Sequence, residues 1–307
     1  MAAVAAPVRA AVVYSTGFEP ATFQTGFSLV PQGDWTSDPN PSGGDQVVTN
    51  WFEGRGQQAL IGFFEPTGNP ASVSLWKPLN YDPVAAGLPV VTFKVAFAIY
   101  DCTTNNLAFR DFFRWSVYSP SNRLFTIEFD NATTEIWYQL DDNSWTYANA
   151  LFERADLEAG LGLYDLAVTM DFAHNQWSAT LNDAPLATAR QITTKGGVPK
   201  LGDIDAVWVA ARNEGFGDNY MVFDDYRVEA NAAAALPFRL ETLGPVPGVG
   251  FALQLHGEEG RSYSIEATTN FLAWTALKTN AVSGGVFDYV DREAVGRSVR
   301  FYRARAL

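Results

Sequence analysis

Apolar and polar residues alternate along most of this chain, in short segments separated by clusters of glycine, proline, asparagine and aspartate. In residues 92–101 an apolar side chain occupies every second position: Phe93, Val95, Phe97 and Ile99. This alternation is typical of antiparallel strands with one buried face. Helical periodicity is nearly absent, and only residues 153–159 favour a short helix. The pattern therefore predicts an all-β protein.

Two pairs of these segments are separated by short polar turns. Residues 124–130 and 135–141 flank the polar sequence 131–134, and we predict that they pair as a hairpin. Residues 165–172 and 176–181 follow the same pattern, which predicts a second hairpin.

The chain has 307 residues, more than the ~100–200 of an average domain, which favours two domains. A small-residue stretch that ends in proline, residues 230–237, is typical of a linker. We therefore predict one domain at 12–229 and a small β-sandwich at 238–307, with Trp274 in the core of the sandwich. Its predicted strands are residues 238–243, 250–256, 263–268, 274–279, 286–290 and 299–306.

The last predicted strand of the first domain has a distinctive sequence, Met-Val-Phe-Asp-Asp-Tyr-Arg-Val at 221–228. It resembles the Met-x-Val-Asp-Tyr-Val-Arg-Val strand that closes the jelly roll of laminarinase-type glucanases, except at Asp225, where the family has an aromatic residue. In its strand pattern, 12–229 resembles a concanavalin-A-like jelly roll, the fold of laminin-G-type modules, legume lectins and these glucanases. The resemblance implies fold more than function.

The C-terminal domain also resembles a known class of module. The sequences at 263–270, 274–277 and 301–303 are similar to those of the fibronectin-type-III-like modules that end many exported proteins of environmental bacteria. This resemblance implies an immunoglobulin-like sandwich and an exported protein.

Composition and charge exclude several classes of protein. The chain is 47% hydrophobic and 14% aromatic, which excludes a disordered chain or a coiled coil. Its net charge of −13 opposes nonspecific binding to nucleic acid or anionic lipid, and it lacks the long apolar run of a membrane span. Cys102 is the only cysteine, which excludes an intramolecular disulfide and a thiolate metal cluster.

The N-terminal segment, residues 1–11, is rich in alanine. It is consistent with the trimmed end of an export signal or with an ordinary N-terminal strand or tail. The apolar stretch 2–13 also suggests a strand donated to a second copy, as in a self-assembling fibre or surface array.

Glycoside hydrolysis needs two carboxyl groups that face one sugar. Laminarinase-type enzymes carry them on one strand as Glu-x-Asp-x-x-Glu or Glu-x-Asp-x-Glu, and Glu128 and Asp130 begin such a pattern. The predicted turn at 131–134 breaks it, because it moves Glu135 to the next strand. We therefore predict no catalytic residues and interpret this region as the polar face of a hairpin.

Carbohydrate binding fits the sequence better, because sugar rings stack on exposed aromatic faces beside carboxylates and amides. Alternation places Glu135, Trp137 and Gln139 on one face of their strand. Trp115 and Trp145 are predicted to complete a ligand surface with them. The alternative for each tryptophan is a buried position in the sandwich.

The resemblance to the glucanases also implies a structural Ca²⁺ ion. In that family the matching aspartate, here Asp224, binds calcium together with carbonyl groups near the start of the domain. Glu19 is predicted to lie within reach, and calcium prefers six to eight oxygen ligands. The alternative is that Asp224 and Asp225 pair with Arg227 or cap a turn.

Together these observations predict an exported, noncatalytic protein that recognises a polysaccharide or another cell-surface component through the jelly roll. Two alternatives remain open at this stage. One is a self-assembling structural subunit, hence a homo-oligomer, and the other is a diverged glycoside hydrolase.

Overall fold

The computed structural model describes residues 10–64, 66–68, 70–101, 110–155, 162–197, 199–211, 216–233 and 238–307. The chain divides into two compact units, Met1–Ala233 and Ala234–Leu307. The boundary falls inside the predicted linker 230–237, whose last four residues lie outside the described part of the chain.

The first unit consists of two antiparallel sheets. The eight-stranded sheet has the spatial order β13 (Ala184–Gln191), β12 (Gln176–Leu181), β11 (Tyr164–Asp171), β6 (Val90–Asp101), β15 (Asn219–Asn231), β4 (Gln57–Gly62) and β3 (Asp45–Thr49), and β1 (Ala10–Thr16) also pairs with β15. The seven-stranded sheet has the order β10 (Trp145–Leu151), β9 (Glu135–Leu140), β8 (Arg123–Asp130), β7 (Phe112–Tyr118), β14 (Asp203–Val209), β5 (Ser72–Trp76) and β2 (Thr36–Asp38). One 3-10 turn, Gln32–Asp34, precedes β2. The predicted all-β, jelly-roll fold class is confirmed.

Alternation explains how these strands form. In β6, Phe93, Val95 and Phe97 are buried between the sheets, as predicted. Both predicted hairpins are present: β8 pairs antiparallel with β9, and β11 pairs antiparallel with β12. The predicted helix is absent at residues 153–155, and residues 156–159 lie outside the described chain.

Large aromatic side chains fill the space between the two sheets. The Trp115 ring meets Phe223 edge-on with centroids 5.4 Å apart, and Phe125 stacks on Trp177 at 4.1 Å. The hydroxyl of buried Tyr226 donates a hydrogen bond to the Ile204 carbonyl over 3.0 Å. Buried aromatic groups of this size dominate core energetics, so the two sheets are held by one continuous core.

Along one of its two edges, strand β15 pairs with two different strands in succession. Its first half pairs with β4, and its second half pairs with β1 after a bulge between Asp224 and Arg227. Residues 10–13, part of the predicted donated strand, therefore pair with the chain's own β15. Residues 2–9 of that segment lie outside the described chain.

The second unit is a sandwich of two three-stranded sheets. One has the order β16 (Arg239–Val246), β17 (Gly250–His256), β20 (Val286–Asp291), and the other β19 (Thr275–Ala281), β18 (Ser262–Thr268), β21 (Phe301–Ala306). A 3-10 turn, Arg292–Ala294, follows β20. The core consists of Leu253, Leu255, Tyr263, Ile265, Val282 and Phe287.

Trp274 does not belong to that core, so its predicted position is wrong. It lies just before β19 and is half-buried, with the Arg303 guanidinium 4.2 Å from its ring centroid. Tyr263 is the aromatic residue that is fully buried inside this sandwich. Trp274 therefore covers the sandwich from outside.

In the described part of the chain, no helix has the length and apolar character needed to cross a membrane.

Candidate ligand-binding face

The seven-stranded sheet has one side against the core and one side turned away from it, which we call the outer face. On β9, Ile136 and Tyr138 are buried in the core, so Glu135, Trp137 and Gln139 lie on the outer face. The sequence predicted this grouping, because the side-chain period of a strand is two residues.

Three aromatic rings lie together on the outer face, and we call Trp137, Trp145 and Tyr147 the aromatic platform. Tyr147 is paired directly with Trp137 across β9 and β10, and their ring centroids are 5.2 Å apart. Trp145 is 40% exposed and Tyr147 is 37% exposed. Large aromatic side chains of this exposure are available for stacking with a ligand.

Polar side chains border the platform and fix its geometry. The indole N–H of Trp137 donates a hydrogen bond to Glu135 Oε2 over 3.1 Å, which orients the ring. The Arg114 guanidinium lies 5.5 Å from the Trp145 ring centroid and donates to Glu128 Oε2 over 2.6 Å. Charged side chains that donate or accept hydrogen bonds therefore lie directly beside the rings of the aromatic platform.

The hairpin that carries the platform is held by Arg123 and Gln139. Arg123 donates to the Gln139 side chain, to the Leu140 carbonyl over 3.1 Å and to Asn143 Oδ1 over 2.8 Å. Gln139 in turn donates to the Asn143 carbonyl over 3.1 Å. This network fixes the turn between β9 and β10, so the platform is preorganised.

Trp115 does not belong to this face, so its predicted role is corrected. It is 1% exposed and packs in the core, because it shares the apolar row of β7 with Phe113 and Val117. The outward residues of β7 are Arg114 and Ser116. The polar character of these two positions was the sequence signal for the correct face.

Tyr147 and Arg114 were absent from the predicted ligand residues, although both lie at the platform. Tyr147 follows Trp145 by two positions, and this spacing along β10 was the available signal. Arg114 could be recognised only through its contacts with Glu128 and Trp145, since these residues are distant in sequence.

The carboxylates considered for hydrolysis are each bound to neighbouring groups. Glu128 is ion-paired with Arg114, and burial raises the pKa of Glu128 although this guanidinium opposes the rise. Asp130 accepts hydrogen bonds from the Ala132 N–H and the Thr133 hydroxyl, both over 2.8 Å. The first carboxylate therefore fixes Arg114 beside the platform, and Asp130 caps the hairpin turn.

A second polar region of the outer face lies on β14. Asp203 and Asp205 line a cavity of about 280 Å³, which we call the acidic cavity. Its other lining residues are Asp38, Ser74, Trp76, Tyr118, Ser119, Pro120 and Ser121. The sequence does not reveal this cavity, because its walls come from four separate segments of the chain.

Asp224 and Glu19 lie close together, on either side of Gly17. A Cβ atom at Gly17 would be 3.5 Å from Asp224 Oδ1 and 3.9 Å from Glu19 Cγ. Burial, together with the charges of Asp225 and Glu19, raises the pKa of Asp224 to about 6. Asp224 accepts from the Asp225 N–H over 2.7 Å and from Gln58 over 3.4 Å.

The alternative to calcium is that Asp224 and Asp225 pair with Arg227 or cap a turn, and neither aspartate pairs with Arg227. Arg227 is bonded to Glu229, and Asp225 pairs with Arg55 over 3.0 Å. A buried carboxylate next to a second one is chemically suited to a cation, with carbonyls as further ligands. No cluster of three or more acidic, histidine or cysteine side chains arranged for a metal occurs among the described residues.

Comparison with known proteins finds similarity to solved structures alone, at low sequence identity. No family model and no curated protein sequence matches this chain. A Bacillus subtilis protein of unknown function with a galectin-like fold has a TM-score of 0.46 and 11% identity over 74% of this chain and all (100%) of its own. Basic winged bean lectin with Tn-antigen has a TM-score of 0.44 and 8% identity over 74% of this chain and 100% of its own. A sialidase matches 60% of this chain, at 6% identity and a TM-score of 0.40, but only 17% of its own length.

Proposed function

We propose that this protein is a noncatalytic glycan-binding protein that holds its ligand on the outer face, at the aromatic platform. Two contacts on the outer face carry the proposal. The Trp137 ring packs against the exposed Tyr147 ring, and the exposed Trp145 ring lies beside the charged guanidinium of Arg114. Sugar rings have apolar faces that stack on aromatic rings and hydroxyl edges that hydrogen-bond to carboxylates, amides and guanidinium groups.

The alternatives receive less support. Hydrolysis at the predicted hairpin would need two free carboxyls facing one sugar, but Glu128 is bound to Arg114 and Glu135 to the Trp137 indole. Assembly through a donated N-terminal strand would compete with the intramolecular pairing of β1 with β15.

Two further elements complete the proposal. The C-terminal sandwich acts as a spacer or attachment unit of an exported protein, in keeping with its resemblance to fibronectin-type-III-like modules. Asp224 and Glu19 would hold a structural Ca²⁺ ion, which would neutralise the buried carboxylate between β15 and the segment after β1.

A glycan-binding screen with three proteins tests the proposed function. We expect the wild type to bind a defined set of glycans and Tyr147→Ala to lose most of that binding. Phe27→Ala is the matched control, because Phe27 is an exposed aromatic residue (63%) beside the eight-stranded sheet. Release of reducing ends from a bound glycan would instead establish hydrolysis, and absence of binding to every glycan would overturn the proposal.

A further inference from the structure

The acidic cavity contains an unusual carboxylate. Asp205 is 5% exposed, and its Oδ1 atom is buried without a hydrogen-bond partner in the described chain. Other buried aspartates of this domain are satisfied: Asp111, for example, accepts from the Trp208 indole over 2.9 Å and from the Gly217 N–H over 2.7 Å. An unpaired buried carboxylate oxygen is costly unless a donor reaches it.

The surroundings of Asp205 carry negative charge. Asp203 lies two residues away on the same strand face, and Asp38 lines the same cavity. Burial raises the pKa of Asp205 well above its ordinary value, and the charge of Asp203 and a hydrogen bond between the two carboxyl groups add to the rise. A cation bound in the cavity would oppose this rise and stabilise the ionised carboxylate. No ion pair joins Asp203 or Asp205 to a basic side chain within the described part of the chain. Arg114 pairs with Glu128, and Arg123 donates to the Leu140 carbonyl. The cavity therefore favours a cationic hydrogen-bond donor.

The walls of the cavity are partly aromatic and its rim is fixed. Trp76 and Tyr118 line it together with the Ser74 hydroxyl. The rim turn is closed by a 2.8 Å hydrogen bond from the Ser119 N–H to the Asn122 carbonyl, and it packs on Gly202, where a Cβ would lie 2.8 Å from the Ser119 carbonyl carbon. Aromatic walls with carboxylates at one end are suited to an organic ammonium ion.

We propose that the acidic cavity binds the primary ammonium group of an amino sugar within the glycan held by the aromatic platform. The inference rests on the proposed glycan-binding function and names the class of sugar. An ammonium group has three donors and forms charge-assisted hydrogen bonds, which are roughly twice as strong as those of a neutral hydroxyl. An acidic sugar would be repelled by the three aspartates.

One glycan chain can reach both places. The cavity and the platform lie on the same face, and β14 is separated from β9 by β7 and β8. Strands in a sheet are about 4.8 Å apart, so the two sites are about 14 Å apart across the strands. An oligosaccharide of several units laid across the strands would place stacked rings on the platform and an amino group in the cavity.

The test compares glucosamine oligomers with N-acetylglucosamine oligomers of the same length, near neutral pH, by titration calorimetry. These oligomers differ in the charged amine that the cavity is proposed to bind. We expect the wild type to bind the free-amine oligomer about tenfold more tightly, which is about 1.4 kcal/mol. Equal affinities, or preference for the acetylated oligomer, would overturn the inference.

Asp205→Asn removes the carboxyl group that an ammonium ion would hold in its ionised form, and it retains the size of the side chain. We therefore expect it to abolish the preference and leave the acetylated oligomer's affinity unchanged. Asp183→Asn is the matched control: it removes one negative charge at an exposed turn of the eight-stranded sheet and should retain the preference. If both variants lose the preference equally, the effect is the overall charge and the cavity is not the site. Asp203→Asn provides a second variant should Asp205→Asn fail to fold.

Two further outcomes separate this inference from others. If a lysine-rich peptide displaces the glucosamine oligomer and binds as tightly, the cavity recognises a protein amine and the assignment to an amino sugar is wrong. If both oligomers bind equally and Tyr147→Ala weakens both, the platform function stands and the inference about the cavity fails.

Discussion

Trp137 and Tyr147 are direct cross-strand partners of β9 and β10, and their ring centroids lie 5.2 Å apart. Trp137 is half-buried and its indole N–H is bound to Glu135, whereas Tyr147 is more exposed. The inner ring is therefore fixed in orientation and supports the outer one. Because both rings lie outside the core, their contribution to binding can be measured separately from their contribution to stability.

We expect Tyr147→Ala and Trp137→Ala each to lower affinity for the bound glycan, by about 1–3 kcal/mol if each ring stacks on a sugar, as base–aromatic stacking suggests. Both should leave the free energy of unfolding within about 1 kcal/mol of the wild type, because neither ring belongs to the core. Calorimetric affinity and thermal melting measure the two effects. A large fall in Tm for Trp137→Ala would place that residue in the core.

Trp115→Ala should have the opposite profile. Because Trp115 is fully buried between the sheets, its truncation should destabilise the domain by about 3–5 kcal/mol. Chemical denaturation measures this loss. In a variant that remains folded below its lowered Tm, glycan affinity should be unchanged, and a selective loss of binding would return Trp115 to the ligand surface.

Trp274→Ala should destabilise the C-terminal sandwich by only about 1 kcal/mol, because it removes the Arg303 contact and partial burial alone. Ile265→Ala, at a fully buried position of the same sandwich, should cost about 2–5 kcal/mol. Denaturation of the whole chain, monitored by a separate probe in each unit, measures the loss of stability that each substitution causes. Equal losses from the two substitutions would contradict the outer position of Trp274.

Asp224 should make stability depend on pH. Its pKa is raised to about 6 in the folded protein, from 3.8, so between these values the folded state binds more protons than the unfolded state. The free energy of unfolding should therefore fall as pH rises from about 4 to 6, and the lost part stays lost above pH 6. Asparagine does not titrate in this range. Melting of Asp224→Asn as a function of pH should therefore not show the fall in stability that Asp224 causes between about pH 4 and 6.

Calcium should counteract that loss. If Ca²⁺ binds ionised Asp224 with Glu19, it should raise the Tm of the wild type well above pH 6 and much less near pH 4, since protonation competes with the metal. Asp224→Asn and Asp224→Ala should show no rise. A wild-type Tm that does not respond to calcium at any pH, with no metal in elemental analysis, would disprove the site.

The strands could be predicted from the sequence because alternation is a local property. It is harder to predict which alternate set of side chains in a strand faces the core. The sequence-based prediction places Trp115 on the outer face, although the polar residues Arg114 and Ser116 occupy the alternate positions of β7. Trp274 was assigned inward because a lone tryptophan usually anchors such sandwiches, but here Tyr263 fills that space.

The acidic cavity illustrates a different limit. The spacing of Asp203 and Asp205 places both on one face of a strand, and this much is visible in the sequence. Their proximity to Trp76 and Tyr118 depends on strand order, since β5 and β7 flank β14 in space but precede it by long stretches of chain. Such tertiary neighbours cannot be read from a single sequence.

The bulged strand β15 has a consequence for how the protein can be handled. From Arg227 to Asn231 its backbone pairs with β6 on one side and with β1 on the other. Deleting β1 would leave this row of N–H and C=O groups open to water, beside a large apolar core, as a template for a strand from another molecule. A tag or fusion partner joined ahead of Ala10 preserves the protected edge, whereas trimming past Thr16 would expose it and make the domain prone to aggregate.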